Sequence, residues 1–325
     1  MTMESSREDS PAQQSDADPA PPVEPPKKIS EVRAWSAAHP DIDPAVLAPH
    51  PKQRAAERRA ALRALGVVAT PAALDVLSSY ARDDYSDVDL EELHKMWSNF
   101  DRRAFASTMF RATGWRLNLG VTQSLVGIEA VADLTSLEII FLGKADLTPL
   151  AECTMLQRVK IISNVEPSIT AVDALSKLPE LRALVLSGVM RNADLSVLAG
   201  TPIETLQISL DGADGAFLQN LPKLRTLLLS GGSSAGDSHE VREPGDPELA
   251  PAHPGLPEVV LALVRSGVDV IVYAHERSWV TGLVATAEAA DDIFVDEIAG
   301  RISLTANEDS RDRLRSGMRL NTITP

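Results

Sequence analysis

Leucine recurs through the middle of this chain at a period too long for either a helix or a strand. In "VDALSKLPELRALVLSG" the apolar anchors are Val172, Leu175, Leu178, Leu181, Leu184 and Leu186. "LTPLAECTMLQRVKII" repeats the set from Leu147 to Ile161, with Cys153 at one anchor, and "LQNLPKLRTLLLSG" repeats it from Leu218 to Leu229. Shorter copies occupy "LTSLEIIFLG" and "NADLSVLAGTPIETLQISLDG". The first residue of each closing alternating pair serves as a marker: Leu117, Ile140, Val159, Leu184, Leu206 and Leu227. Successive intervals are 23, 19, 25, 22 and 21 residues, the period of a leucine-rich repeat array.

The spacing has a physical reason. A closing L-x-L sends two side chains to one side of a short strand and the middle residue to the other. Anchors three and six positions earlier tie the returning turn to the same core. One coil cannot bury its own apolar face, so coils must stack and their strands must pair in parallel. The expected fold is an α/β leucine-rich repeat solenoid of six or seven parallel strands. Residues 113–230 hold the repeats, and "VDVIVYA" supplies the seventh strand.

The flanks read differently. Residues 1–30 begin with a proline-rich, polar run without aromatics up to residue 28, which cannot bury enough apolar surface to offset its chain entropy. Residues 31–112 read as helical and HEAT-like, a cap for the first coil. Within them "KQRAAERRAALRALG" stops at Gly66, Thr70 and Pro71 open a second helix, and Ser86 caps a third. The cluster Lys52, Arg54, Arg58, Arg59 and Arg63 reads as a solvated helix face or as a holder for an acidic partner. Residues 231–255 carry five Gly and four Pro and read as a mobile loop. Residues 256–325 read as an α+β closing unit: a helix, the last parallel strand, a second helix and a hairpin around Ala299-Gly300.

Composition narrows the function classes. A net charge of −15 leaves no broad basic face for a nucleic acid. No apolar run approaches a membrane span and no signal-peptide core opens the chain, so the expectation is a cytoplasmic protein. The single cysteine excludes an internal disulfide framework, and Cys153 reads as a buried apolar anchor. Neither a phosphate-binding glycine loop, a nucleophile elbow nor a metal-ligand pair occurs, so no cofactor, metal or catalytic residue is expected. "DGADG" (211–215) offers two carboxylates, too few for calcium, and reads as a turn.

Candidate site residues lie on the outward side of the strands. With the markers above, the middle outward row is Asn118, Phe141, Lys160, Val185, Gln207, Leu228 and Ile271. Arg158 flanks that row on one side and Tyr273 on the other. An apolar band with polar edges is the pattern of a protein-binding surface. The expected contacts with a protein partner are Phe141, Arg158, Lys160, Val185, Gln207, Leu228, Ile271 and Tyr273. Alternatively, a neighbouring segment folds over this band.

"ADLTPLAECTMLQRVKI" and "ADLSVLAGTPIETLQI" resemble the coils of internalin-like bacterial leucine-rich repeats. "SYARDDYSDVDLEELHKMWSNFDRRAFASTMF", followed by the array, resembles the C-terminal sensor arm of actinobacterial NACHT-type signalling NTPases. That resemblance implies a recognition role beside a nucleotide-binding module, which has no counterpart after Met1. Two other functions stay open. One is an enzyme with its site near Tyr273, His275, Glu276 and Trp279; the other is a gene fragment without an independent role.

Overall fold

The computed structural model describes residues 23–81, 85–110, 116–163, 169–187, 193–209, 215–230, 255–273, 278–298 and 301–320. Helices α1 (Ile29–Ala38), α2 (Ala55–Val68), α3 (Pro71–Ser78), α4 (Asp87–Trp97) and the short α5 (Arg102–Phe105) come first. α5 runs on into a π-helical turn at Ala106–Phe110. Thr70 Oγ1 accepts the Ala73 amide at 3.2 Å and Ser86 Oγ accepts the Asp89 amide at 3.3 Å, so these residues cap α3 and α4.

Three expectations change in this region. First, α2 does not stop at Gly66; it continues to Val68 and turns at Ala69, whose φ is 50°. Gly66 serves a close approach instead, because a Cβ there would lie 2.7 Å from Met96 Cβ on α4. Second, the basic cluster is not simply solvated. Arg58 donates to Asp89 at 2.8 Å and Arg63 pairs with Glu92, and both carboxylates are buried beneath them. Third, residues 23–28 pack although their composition reads as a disordered tail. Trp35 Nε1 donates to the Glu24 carbonyl at 2.7 Å, Pro26 is buried and α1 starts at Ile29. The aromatic partner that this run lacks lies on the helix that follows. Residues 1–22 of the expected tail, and all of the expected loop 231–255 except Gly255, lie outside the described residues.

Next along the chain come β1 (Arg116–Thr122), β2 (Ser136–Phe141), β3 (Ala145–Asp146), β4 (Arg158–Ser163), β5 (Ile169–Thr170) and α6 (Asp173–Ser176). β6 (Ala183–Ser187), β7 (Thr205–Ser209) and β8 (Thr226–Ser230) complete the leucine-rich stretch. α7 (Leu256–Arg265), β9 (Asp269–Tyr273), α8 (Ser278–Glu288), β10 (Phe294–Ile298), β11 (Arg301–Thr305) and α9 (Glu308–Leu320) close the chain. The main sheet has nine strands in the order β1-β2-β4-β6-β7-β8-β9-β11-β10, and β3 pairs with β5 apart from it. Strands β1 to β9 of the main sheet are parallel. β11 runs antiparallel to both β9 and β10.

Register explains the core. Leu117, Leu137, Val159, Leu184, Leu206, Leu227 and Val270 stand abreast across seven strands, and all are buried. Two residues on, Ile139, Ile161, Leu186, Ile208, Leu229 and Val272 form a second buried row. The marker in β2 is thus Leu137, not Ile140, and the first two intervals become 20 and 22 residues. "LEIIFLG" is apolar at nearly every position, so alternation alone gives it no phase; its neighbours fix it.

Return turns are built from the repeated Asp-Leu-Thr/Ser. Asp146 Oδ1 accepts the Thr148 amide at 3.0 Å and its hydroxyl at 2.6 Å; Asp194 does the same for Ser196 at 3.0 and 2.5 Å. These bonds, the hydroxyl first, hold both carboxyls below their ordinary pKa. Behind each turn, Leu150 and Leu198 fill the core.

Two substitutions test this packing by chemical denaturation. Leu184→Ala should cost about 2–5 kcal/mol, since its fully buried side chain is shared between coils. Gly66→Ala should also destabilise, although Ala is the better helix former by about 1 kcal/mol, because its methyl meets Met96. A gain in stability at residue 66 would show that α2 and α4 are not in that close contact.

Candidate functional site

The outward row of the sheet differs from the sequence reading at one strand. Phe141 is 1% exposed and points into the core beside Ile139. Glu138 takes its place in the row, between Asn118 on β1 and Lys160 on β4. The phase of β2 was ambiguous in sequence, and Phe141 was misplaced for that reason. Lys160 Nζ donates to Glu138 Oε1 at 2.7 Å, so this lysine already has an acidic partner within the sheet.

The remaining candidate residues lie on adjacent strands of the sheet. Val185, Gln207, Leu228 and Ile271 are direct neighbours on β6, β7, β8 and β9, each partly exposed. Arg158 is exposed on the adjoining row, in register with Ser136 and Ala183. Tyr273 is partly buried, with the Arg301 guanidinium 5.1 Å from its ring centre. The apolar part of the face is therefore a strip of Val185, Leu228 and Ile271 interrupted by Gln207.

Beyond that strip another segment does lie on the face. Asp269 and Asp296 sit in the outward rows of β9 and β10 and are buried. Arg313 of α9 donates to Asp269 at 2.8 Å, Arg311 to Asp296 at 2.9 Å, and Arg315 pairs with Asp296 as well. Arg311 also stacks 4.8 Å from the centre of the Phe294 ring. Burial works against ionisation of Asp296, but bonds from Arg311 and Arg315 outweigh it and hold the carboxyl below its ordinary pKa. Sequence reading passed over α9. The signal was present in Arg311 and Arg315, four apart on one helix face, opposite acidic residues in strands.

Of the residues in the enzymatic alternative, Tyr273 is the one whose side chain is described. His275, Glu276 and Arg277 lie outside the described residues, as do "DGAD" at 211–214 and the side chain of Trp279. Burial pushes the Cys153 thiol up to about 12, so it stays protonated and unreactive. Among the described residues no group of three or more His, Cys, Asp or Glu could hold a metal ion. No helix among them is long and apolar enough to cross a membrane.

Sequence reading also missed a cleft of about 570 Å³ between α4 and β1, lined by Leu90, Glu91, His94, Asn118, Val121 and Ile140. Burial against Phe110 pushes the His94 imidazole down to about 4, and its Nε2 has no hydrogen-bond partner among the described residues. Glu91 is held by Lys95 at 2.7 Å. The imidazole packs against Phe110 and borders the cleft between α4 and the first strand.

That imidazole makes stability pH-dependent. Its folded pKa lies below the value of about 6.5 expected in the unfolded chain. Its neutral form is fully present above that unfolded value, and stability is lost as pH falls toward about 4. The loss should approach about 3 kcal/mol. His94→Gln should reduce this acid-side loss in thermal melts between pH 7 and pH 4.5. An unchanged pH profile would place the titration elsewhere.

No family model matches the sequence, and no curated protein is significantly similar to it. Among solved structures, an internalin from Listeria monocytogenes is similar at 19% identity, over 52% of this chain and 64% of that one, with a TM-score of 0.25. The chain thus spans 64% of that internalin chain. An overlap this loose assigns neither fold nor function, and the leucine-rich character of the chain rests on its own register and burial.

Proposed function

We propose that this chain is a leucine-rich repeat solenoid whose outward strand face recognises a protein partner. One observation carries the reading: Val185, Gln207, Leu228 and Ile271 stand side by side on four adjacent parallel strands and remain partly exposed. A partner meets these side chains already fixed by the sheet, so little ordering entropy is lost on binding. Residues 31–112 act as a HEAT-like cap on β1, and the unit after residue 256 closes the other end. In this reading the module is a sensor or adaptor, working beside a NACHT-type nucleotide-binding partner in the manner that its coils and helices resemble.

Affinity capture followed by mass spectrometry tests the proposal. Val185→Asp with Leu228→Asp should release the captured partner while thermal melting stays close to that of the parent chain. Centrally placed apolar contacts of this kind typically carry about 2 kcal/mol each. A partner retained by a folded double variant would remove the strand face as its docking site.

A further inference from the structure

Charge is distributed unevenly between the strand face and the rest of this molecule. The whole chain carries a net −15. Among the described residues of the outward face from β1 to β9, and at the one residue immediately before each strand, the acidic groups are Glu138, Glu204 and Asp269. Each of them is engaged. Glu138 holds Lys160, Glu204 holds Arg182 at 3.2 Å, and Asp269 holds Arg313. Three arginines in the same region have no ion-pair partner among the described residues: Arg116 on β1, Arg158 on β4 and Arg225 at the entry to β8. All three are exposed.

Their placement is ordered. Arg116, Ser136 and Arg158 are in register on three adjacent strands, which puts the two arginine backbones about 10 Å apart. The Arg225 amide donates to the Glu204 carbonyl at 2.9 Å, which fixes it at the same end of the strands, about 24 Å from Arg116 across the sheet. The apolar strip of Val185 and Leu228 runs parallel to this line, about 7 Å along the strands. An isolated surface arginine is ordinary. Three along one rim, where Glu138, Glu204 and Asp269 are each paired with a base, make a positive island on an acidic protein.

Resting on the reading of this face as a docking surface, we propose that its partner is an acidic polypeptide segment laid across the strands. Carboxylates along one side of the segment meet Arg116, Arg158 and Arg225, and apolar side chains on its other side meet Val185 and Leu228. Guanidinium groups bind carboxylates through paired N–H donors, so this rim selects planar anions at defined spacing. The net negative charge of the whole chain disfavours the same segment at other places, which favours its approach to this face.

The probe is a displayed library of short random peptides selected on the full chain, with labelled oligothymidylate as a second ligand. Retained peptides should be rich in Asp and Glu interleaved with apolar residues. The triple reversal Arg116→Glu, Arg158→Glu, Arg225→Glu should weaken them about tenfold or more and flatten the salt dependence, with melting unchanged. The reversed face should in turn select basic peptides. Peptides without acidic bias that are still lost in the Val185→Asp, Leu228→Asp variant would overturn the acidic partner and keep the docking face. Peptides indifferent to both variants would overturn the docking face itself. Tight oligothymidylate binding lost in the triple reversal, or no retained peptide at all, would also overturn the proposal.

Discussion

No coil of this chain can bury its own leucines. Each contributes one short strand and one return turn, and its inward side chains are covered only when the next coil lies against it. Everything else follows from that dependence. Strands β1 to β9 of the main sheet are parallel because every coil enters in the same direction. The buried rows from Leu117 to Val270 and from Ile139 to Val272 are continuous because each residue rests on its neighbour in register. The outward rows are free to vary because the core does not use them.

The two ends meet the same constraint with different chemistry. At β1, α4 packs aromatic and apolar residues, with Trp97 and Phe110 edge to face at 5.1 Å. Buried Asp89 and Glu92 are held by arginines from α2. At the far end β11 turns antiparallel onto β9, and β10 pairs beyond it. There α9 is fastened to the outward face by arginines on Asp269 and Asp296. Carboxylates recruit arginines beside both ends of the sheet, while Arg116 on β1 and Arg158 and Arg225 further along have no ion-pair partner among the described residues.

How much of this was legible in the sequence depended on pattern purity. Leu184-Val185-Leu186 and Leu206-Gln207-Ile208 alternate cleanly, and their inward and outward assignments hold. β2 lacks that contrast, so Phe141 was read as outward although it belongs to the core, and Glu138 was overlooked. Thr70 and Ser86 were readable as caps because their side chains act within one turn. Gly66 was read as a helix stop because its actual reason, Met96 of α4, lies thirty residues away. The ion pairs of Arg58 and Arg63 were hidden for the same reason, and α9 showed only the spacing of its arginines, not their partners: each pair joins residues brought together only by the fold.

The central claim is that one side of the sheet is core and the other is open to solvent between its ends. Single-cysteine accessibility tests it most directly, since the native thiol at Cys153 is buried and held protonated. Glu138→Cys, Gln207→Cys and Leu228→Cys should react readily with a thiol reagent in the folded protein. Phe141→Cys and Ile139→Cys should react only after denaturant is added. Rapid labelling of Phe141→Cys in the native state, with Glu138→Cys protected, would reverse the phase of β2 and contradict the account of this face.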